Sequence, residues 1–496
     1  MKHRARSAVV TAVLVGILIV TGAATAAAGP NSREARLRGD AAKNVQTKNL
    51  NVTAASRPGQ SLRVDLAQAH LTIVAWDKNE VAAEATVEVG DSNPEFITEF
   101  LDATTMTLAP EAGGLVLRLT SPMDRRETDA GGVSKKIAEA IRRGNWNISF
   151  AARITIHVPA SQNLDVKNAF GDVAVSGVAG RLHLHNESGE VRADGCSGEI
   201  DLENSFGPVR VLDFKGPAVI RNESGEVRAE RISGRVEIKN SFNRVVFSKI
   251  GGPLDISSES AEVTGTDVTG DCVIKSSFNP IEVRGVSGRL EVTGESSAVT
   301  IDGAGKDVVV TSSFNPVRVV NVKGGLRATC QSAAVTAEGI DGDAWITTSF
   351  NAVEARRIGG GLSVKGESSG VLAEDIGGAI DIRNSFMNVI VRRSSGSITI
   401  RAESGGVEVG EIKALPAGSV IEIKSTFNPI TLTLPAGTEI QGTAKTDFGK
   451  IISDFPVILK DGVGFGEKSV TFESPKPGVT VRLEGSADIT IRREKI

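Results

Sequence analysis

Seven phenylalanines, Phe170, Phe206, Phe242, Phe278, Phe314, Phe350 and Phe386, follow one another at intervals of 36 residues without a slip. Midway between them, 18 residues on, stand Ser188, Ser224, Ser260, Ser296, Ser332, Ser368 and Ser404, most of them within Glu-Ser-Gly or Glu-Ser-Ser. A fixed period leaves a chain few folds to choose from, because each repeat has to bury its apolar face against the next. Counted from the Phe or Ser as position 0, apolar residues recur at +3, +5, +8, +12 and +14, with Gly usually at +10. In the Phe278 coil these are Ile281, Val283, Val286, Leu290 and Val292, with Gly288 at the glycine position. Apolar pairs two residues apart are strand alternation with one buried face. Eighteen residues are too few for a helix-containing repeat or a propeller blade and suit one turn of a β-helix. The expected fold is therefore all-β: a single-stranded β-helix, or solenoid, of 18-residue coils joined into 36-residue double repeats.

The alternation of Phe and Ser at position 0 reads as core packing. Pointing inward, the rings would lie about 9.6 Å apart, two strand spacings, each leaning over the small residue of the next coil. Position +16 carries Asn168, Asn186, Asn204, Asn222, Asn240, Ser258 and Ser276, a stacked polar ladder expected to serve the backbone groups of a corner. It frays after Ser276 into Gly294, Ser312, Cys330, Thr348 and Gly366. Gly at +10 fits a corner that needs positive φ or close backbone approach.

Composition narrows the class further. With 54 Gly, no Tyr and 40% hydrophobic residues, the chain is rich in small and aliphatic side chains and is not a disordered one. A formal net charge of −4 argues against a nucleic-acid partner, which calls for a basic face. Lys2, Arg4 and Arg6 precede an apolar run from Ala8 to Val20 and the small-residue cleavage sites Ala24-Thr25-Ala26 or Ala26-Ala27-Ala28. Residues 1–28 thus read as an export signal, either removed or kept as an N-terminal anchor, the one expected tie to a membrane. Cys196, Cys272 and Cys330 are too few and too scattered for a disulfide framework or a zinc site. The expected location is outside the cytoplasm: secreted, periplasmic or attached to the cell envelope.

The expected organisation runs from that segment through a linker (29–48) and a β-rich capping region (49–165) to the regular array (166–421), then irregular coils and a cap (422–496). The capping region carries two predicted short helices, Pro94–Leu101 and Ser134–Arg143. Towards the far end Phe386 to Phe427 spans 41 residues and Phe427 to Phe448 only 21, with extra residues around Leu415-Pro416-Ala417-Gly418.

The phrases Ala75-Trp76-Asp77, Ile154-Thr155-Ile156-His157-Val158-Pro159, Phe170-Gly171-Asp172-Val173 and Asn186-Glu187-Ser188-Gly189-Glu190-Val191 resemble those of a bacterial family of unknown function, the putative adhesins with β-strand repeats. The resemblance spans roughly residues 50–420 and implies an exported, right-handed β-solenoid. It carries no catalytic or ligand-binding residues to transfer.

The chemistry-bearing residues mostly have plain readings. Glu187, Glu223, Glu259, Glu295, Glu367 and Glu403 form a carboxylate column about 9.6 Å apart, too wide for two of them to share one calcium ion, and read as a solvated ladder. His183 and His185 lack a visible third ligand. Trp345 at +13 faces outward, as a sugar-stacking platform or, more simply, packed on a neighbour such as Val309. Arg125-Arg126, Lys135-Lys136 and Arg142-Arg143 make a locally basic stretch. Asp302, Asp307, Asp341 and Asp343 sit in turn-like clusters, and no nucleophile elbow, phosphate loop or zinc spacing appears. The resulting expectation is a non-enzymatic adhesion-type or envelope protein acting by surface contact, with no catalytic residue, cofactor or metal. Its partner would be an envelope polysaccharide or a surface protein. Alternatives are a self-assembling envelope scaffold and a protein that binds or cleaves polysaccharide. With the repeated positions inward, a partner is expected at one patch or at an end.

Overall fold

The structure, a computed structural model, describes residues 44–111, 113–122, 148–461, 467–474, 476 and 478–495. The segment 1–28, the basic stretch from Arg125 and the helix expected at Ser134–Arg143 lie outside these residues. The chain is 65% strand and 2% helix, with stacked parallel coils of about 18 residues that make a β-solenoid of about 14 turns. It divides into two compact units, residues 1–234 and 235–496.

The template expected from the sequence is the core. In the Phe278 coil Ile281, Val283, Val286, Leu290 and Val292 are all fully buried, each complete burial stabilising by about 1.5–3 kcal/mol before ordering costs. Successive strands pair in parallel, in register and 18 residues apart: Val299 faces Val317, and Val317 faces Val335. The +10 glycines answer to close approach. A Cβ on Gly198 would stand 2.2 Å from the carbonyl oxygen of Gly180 in the coil before it. A second corner went unread in the sequence. At +7 nearly every coil carries a residue of positive φ, Gly177, Gly195, Gly285, Gly303 and Gly339 among them, but also Asp213, Lys249, Asn321 and Arg357.

In the first unit the capping region contributes strands of its own. Asn44–Ala55 pairs antiparallel with Glu80–Asp91, and that strand antiparallel with Ser149–Pro159. The coil Ser61–Trp76 is interleaved out of sequence. Ser61–Gln68 lies between Gly114–Thr120 and Asn163–Phe170, and His70–Trp76 between Ser149–Pro159 and Val173–Ser176. The helix Pro94–Ala103 starts where Asn93 accepts from the Glu95 and Phe96 amides. It buries Ile97, Phe100 and Leu101. The buried Lys48 ammonium closes its other end on the carbonyls of Leu101 (2.6 Å) and Thr104 (2.9 Å).

The second unit repeats the interleaving at its end. Val479–Gly485 enters between Ser419–Ser425 and Ile440–Thr446, and Ile489–Arg493 between Ile430–Leu434 and Ile451–Ser453. The strands of this stretch are threaded out of sequence order. Strand Lys468–Phe472 then pairs antiparallel with Ile440–Thr446 and with Ile458–Asp461.

Candidate interaction surface

The rings at position 0 point out, not in. Phe170 and Phe206 in the first unit are 54% and 60% exposed, and Phe242, Phe278, Phe314, Phe350, Phe386, Phe427 and Phe448 in the second lie between 52% and 81%. The expected leaning of rings over small neighbours inside the core is therefore incorrect. The alternation belongs to the corner backbone instead.

In the second unit the polar residue at +16 that precedes Phe278, Phe314 and Phe350 is buried, and its side chain reaches back to the start of its own Ser coil. Ser276 Oγ donates to the Ala261 carbonyl (2.8 Å), Ser312 Oγ to that of Ser297 (3.3 Å) and Thr348 Oγ1 to that of Ala333 (2.9 Å). Ala261, Ser297, Ala333 and Ser369 are themselves fully buried, so a Ser coil dips inward just after position 0. The +16 residue that precedes Ser296, Ser332, Ser368 and Ser404 is small: Gly294, Cys330, Gly366 and Ala402. The ladder that appeared to fray thus continues in every second coil. The Asn after Phe278, Phe314, Phe350 and Phe427 adds a second tie. Asn279 and Asn315 donate to the carbonyls of Ser260 (3.2 Å) and Ser296 (2.6 Å). Two coils bonded in this way are the 36-residue unit, and the inside of the corner being filled, Phe is turned to solvent. In the first unit three successive coils share one corner, with Asn168 Nδ2 bonded to Asn186 Oδ1 (3.0 Å) and Asn186 Nδ2 to Asn204 Oδ1 (3.2 Å).

Interleaving restores the alternation where the sequence loses it. Ser425 and Thr446 both face Gly485. Two residues further along each strand stand Phe427, Ala487 and Phe448, again large, small, large. The 21-residue spacing is the trace of that inserted coil, whereas the 41 residues from Phe386 to Phe427 are two coils in sequence order with extra residues in the loop before Ser419, Ile398 facing Ile421 directly.

Beside the ridge stand Glu259, Glu295, Glu367 and Glu403, all exposed and, among the described residues, without an ion-pair partner. Charges elsewhere on the coils are mostly paired, as in Asp213 with Arg231 and Asp375 with Arg393 and Lys413. Beside Phe386 a hollow of about 420 Å³ opens, lined by Gly370, Val371, Leu372, Met387 and Ile390.

The other candidates are accounted for by their neighbours. His185 Nδ1 lies 3.3 Å from Glu203 and His183 Nδ1 3.8 Å from Asp201, two carboxylates that Arg221 also reaches. Trp345 is exposed, but its neighbour is Arg327 of the preceding coil and not Val309, the guanidinium carbon 5.1 Å from the ring centre. His157 stacks on Trp76 at 5.1 Å. Asp307 and Asp343 accept from the amides of Gly325 (2.8 Å) and Gly361 (2.7 Å) one coil on, and Asp302 and Asp341 meet Asn321 and Lys323. The three cysteines are buried and free, burial pushing Cys272 up to about 12 and Cys330 to about 11. Among the described residues no group of three or more His, Cys, Asp or Glu side chains is placed to hold a metal ion, and no helix is long and apolar enough to cross a membrane.

No protein-family model matches the chain, and no curated protein does. Among solved structures it is similar to a "putative cell adhesion protein" from Clostridium sporogenes, at 7% identity over 90% of this chain and 99% of that one, with a TM-score of 0.16. At that score the likeness carries no argument, and the reading of function rests on the ridge.

Proposed function

We propose that the protein is a non-enzymatic, adhesion-type β-solenoid of the bacterial cell envelope, exported to work by surface contact, and that the Phe ridge of its second unit is the contact surface. One observation supports this reading: a regular file of large apolar side chains held in water. Solvent-facing rings add almost nothing to folding, and contiguous exposed apolar surface marks interaction sites. The feature that repeats most strictly in the sequence is therefore an outward one. A partner restricted to one patch or one end was expected only because position 0 was placed inside, and contact along the ridge replaces it.

The test uses labelled full-length protein and a variant with Phe278, Phe314, Phe350 and Phe386 all changed to Ser. Binding to whole bacterial cells and to purified envelope glycan is measured for both. The variant should fold as the parent does and lose binding. Equal binding by a folded variant would remove the ridge from the proposal.

A further inference from the structure

The ridge is complementary to itself. Large and small residues alternate along it in steps of one coil, Phe242, Ser260, Phe278, Ser296, Phe314, Ser332, Phe350, and so to Phe427, with Phe242 opposite Ser260 in the strand register. Rings on one file therefore stand about 9.6 Å apart, with a gap about one strand spacing to either side. Among the described residues no ring contact joins two ridge phenylalanines, and the serines between them are half-exposed. Beside Phe386 the hollow over Gly370 and Leu372, with nothing within 4 Å of where a Gly370 side chain would begin, adds open apolar surface next to the ridge.

Building on the contact reading above, we infer that the occupant of the ridge is a second copy of this chain, the two ridges packed antiparallel with the rings of one seated over the Ser coils of the other. Symmetry selects this arrangement. A two-fold axis along the ridge would set Phe against Phe at equal height. An axis across it, passing midway between a Phe coil and a Ser coil, offsets the files by one coil and closes the pair. The area suffices. A phenylalanine offers on the order of 150–200 Å², so six half-exposed rings supply on the order of 500 Å², and the flanking Ser, Asn and Glu raise this towards the ~800 Å² per partner of a stable interface. Residue choice agrees. Every large ridge position is Phe in a chain with no Tyr, and a ring without a polar handle suits a dry contact between rings better than a hydrated one.

The same symmetry places the unpaired Glu295, Glu367 and Glu403 of both copies on one flank, interleaved and of like charge. Screening should tighten the pair. A contact with a cationic partner would loosen in salt.

Sedimentation velocity of the full chain across a concentration series, at low and high salt, tests the inference. The expected result is a monomer–dimer equilibrium that tightens in salt and weakens roughly tenfold for each ring replaced by Ser. Orientation is read with a bifunctional maleimide. Single variants Ser260→Cys and Ser404→Cys should cross-link to each other when mixed and hardly at all alone, the native cysteines being buried. A monomer at every concentration and salt overturns the inference, as does cross-linking of each single variant with itself. If the monomer still binds cells through its phenylalanines, contact function survives and its partner is a different molecule. If Phe→Ser changes neither association nor cell binding, both readings fall.

Discussion

Ser276 Oγ donates to the carbonyl of Ala261 across a fully buried corner, 2.8 Å away. The bond closes the Ser coil on itself just before Phe278, and the Asn279 side chain, donating to the Ser260 carbonyl at 3.2 Å, ties the following Phe coil to it. Removing the hydroxyl leaves a buried carbonyl unpaired. Ser276→Ala should therefore cost about 1–2 kcal/mol, read as a lower urea midpoint with an unchanged slope. Ser277→Ala, beside it but half-exposed, should cost little.

Inside and outside positions should separate cleanly in thermal melts. Val319 is fully buried and Phe314 is 60% exposed, though both belong to one coil. Val319→Ala should cost about 1–3 kcal/mol through lost burial and the cavity left behind, while Phe314→Ser should stay within about 0.5 kcal/mol of the parent. The reverse order would mean that the rings are core.

The +7 corner predicts an asymmetric pair. Lys249 has φ 55° and Gly285 φ 68°, in the region that non-glycine residues enter at a cost. Lys249→Gly should stabilise by about 0.5–1 kcal/mol, and Gly285→Val should destabilise by more than 1 kcal/mol, a β-branched residue being the worst occupant there. Equilibrium unfolding of both variants checks the sign.

Burial raises the thiols of Cys272 to about 12 and Cys330 to about 11, from an ordinary value of 9.0. Between those values the unfolded chain holds fewer protons than the folded one, so this contribution is intact below about pH 9 and is lost as pH climbs towards 12. Cys272→Ala with Cys330→Ala should blunt the fall in urea midpoint between pH 8 and pH 10.5. In the native protein neither thiol should react with iodoacetamide at pH 8; rapid labelling would show that the core opens.

The core was legible in the sequence because alternation of Val, Ile and Leu reports directly which face is buried. Ile281, Val283, Val286, Leu290 and Val292 are read from spacing alone. The direction of Phe278 was not, for a large apolar residue at a fixed period is the ordinary mark of a core. One signal was available: the +16 partner alternates with it, polar in Ser276, Ser312 and Thr348, small in Gly294, Cys330 and Gly366, which is the pattern of two corners rather than one. Interleaving of Val479–Gly485 between distant strands leaves no local trace, since register with Ser419–Ser425 is set by packing and not by neighbours in sequence. Positive φ at Lys249 and Arg357 was equally hidden, because the corner imposes a conformation those residues do not prefer.

The central claim is that the phenylalanines serve contact and not folding. It is tested most directly by one paired measurement on the variant with Phe278, Phe314, Phe350 and Phe386 all replaced by Ser: its thermal midpoint by circular dichroism and its retention on immobilised parent protein. The expected result is a midpoint within a few degrees of the parent's and retention abolished. A collapsed midpoint would make the rings part of the core. An unchanged midpoint with undiminished retention would leave the ridge without a role in contact between copies.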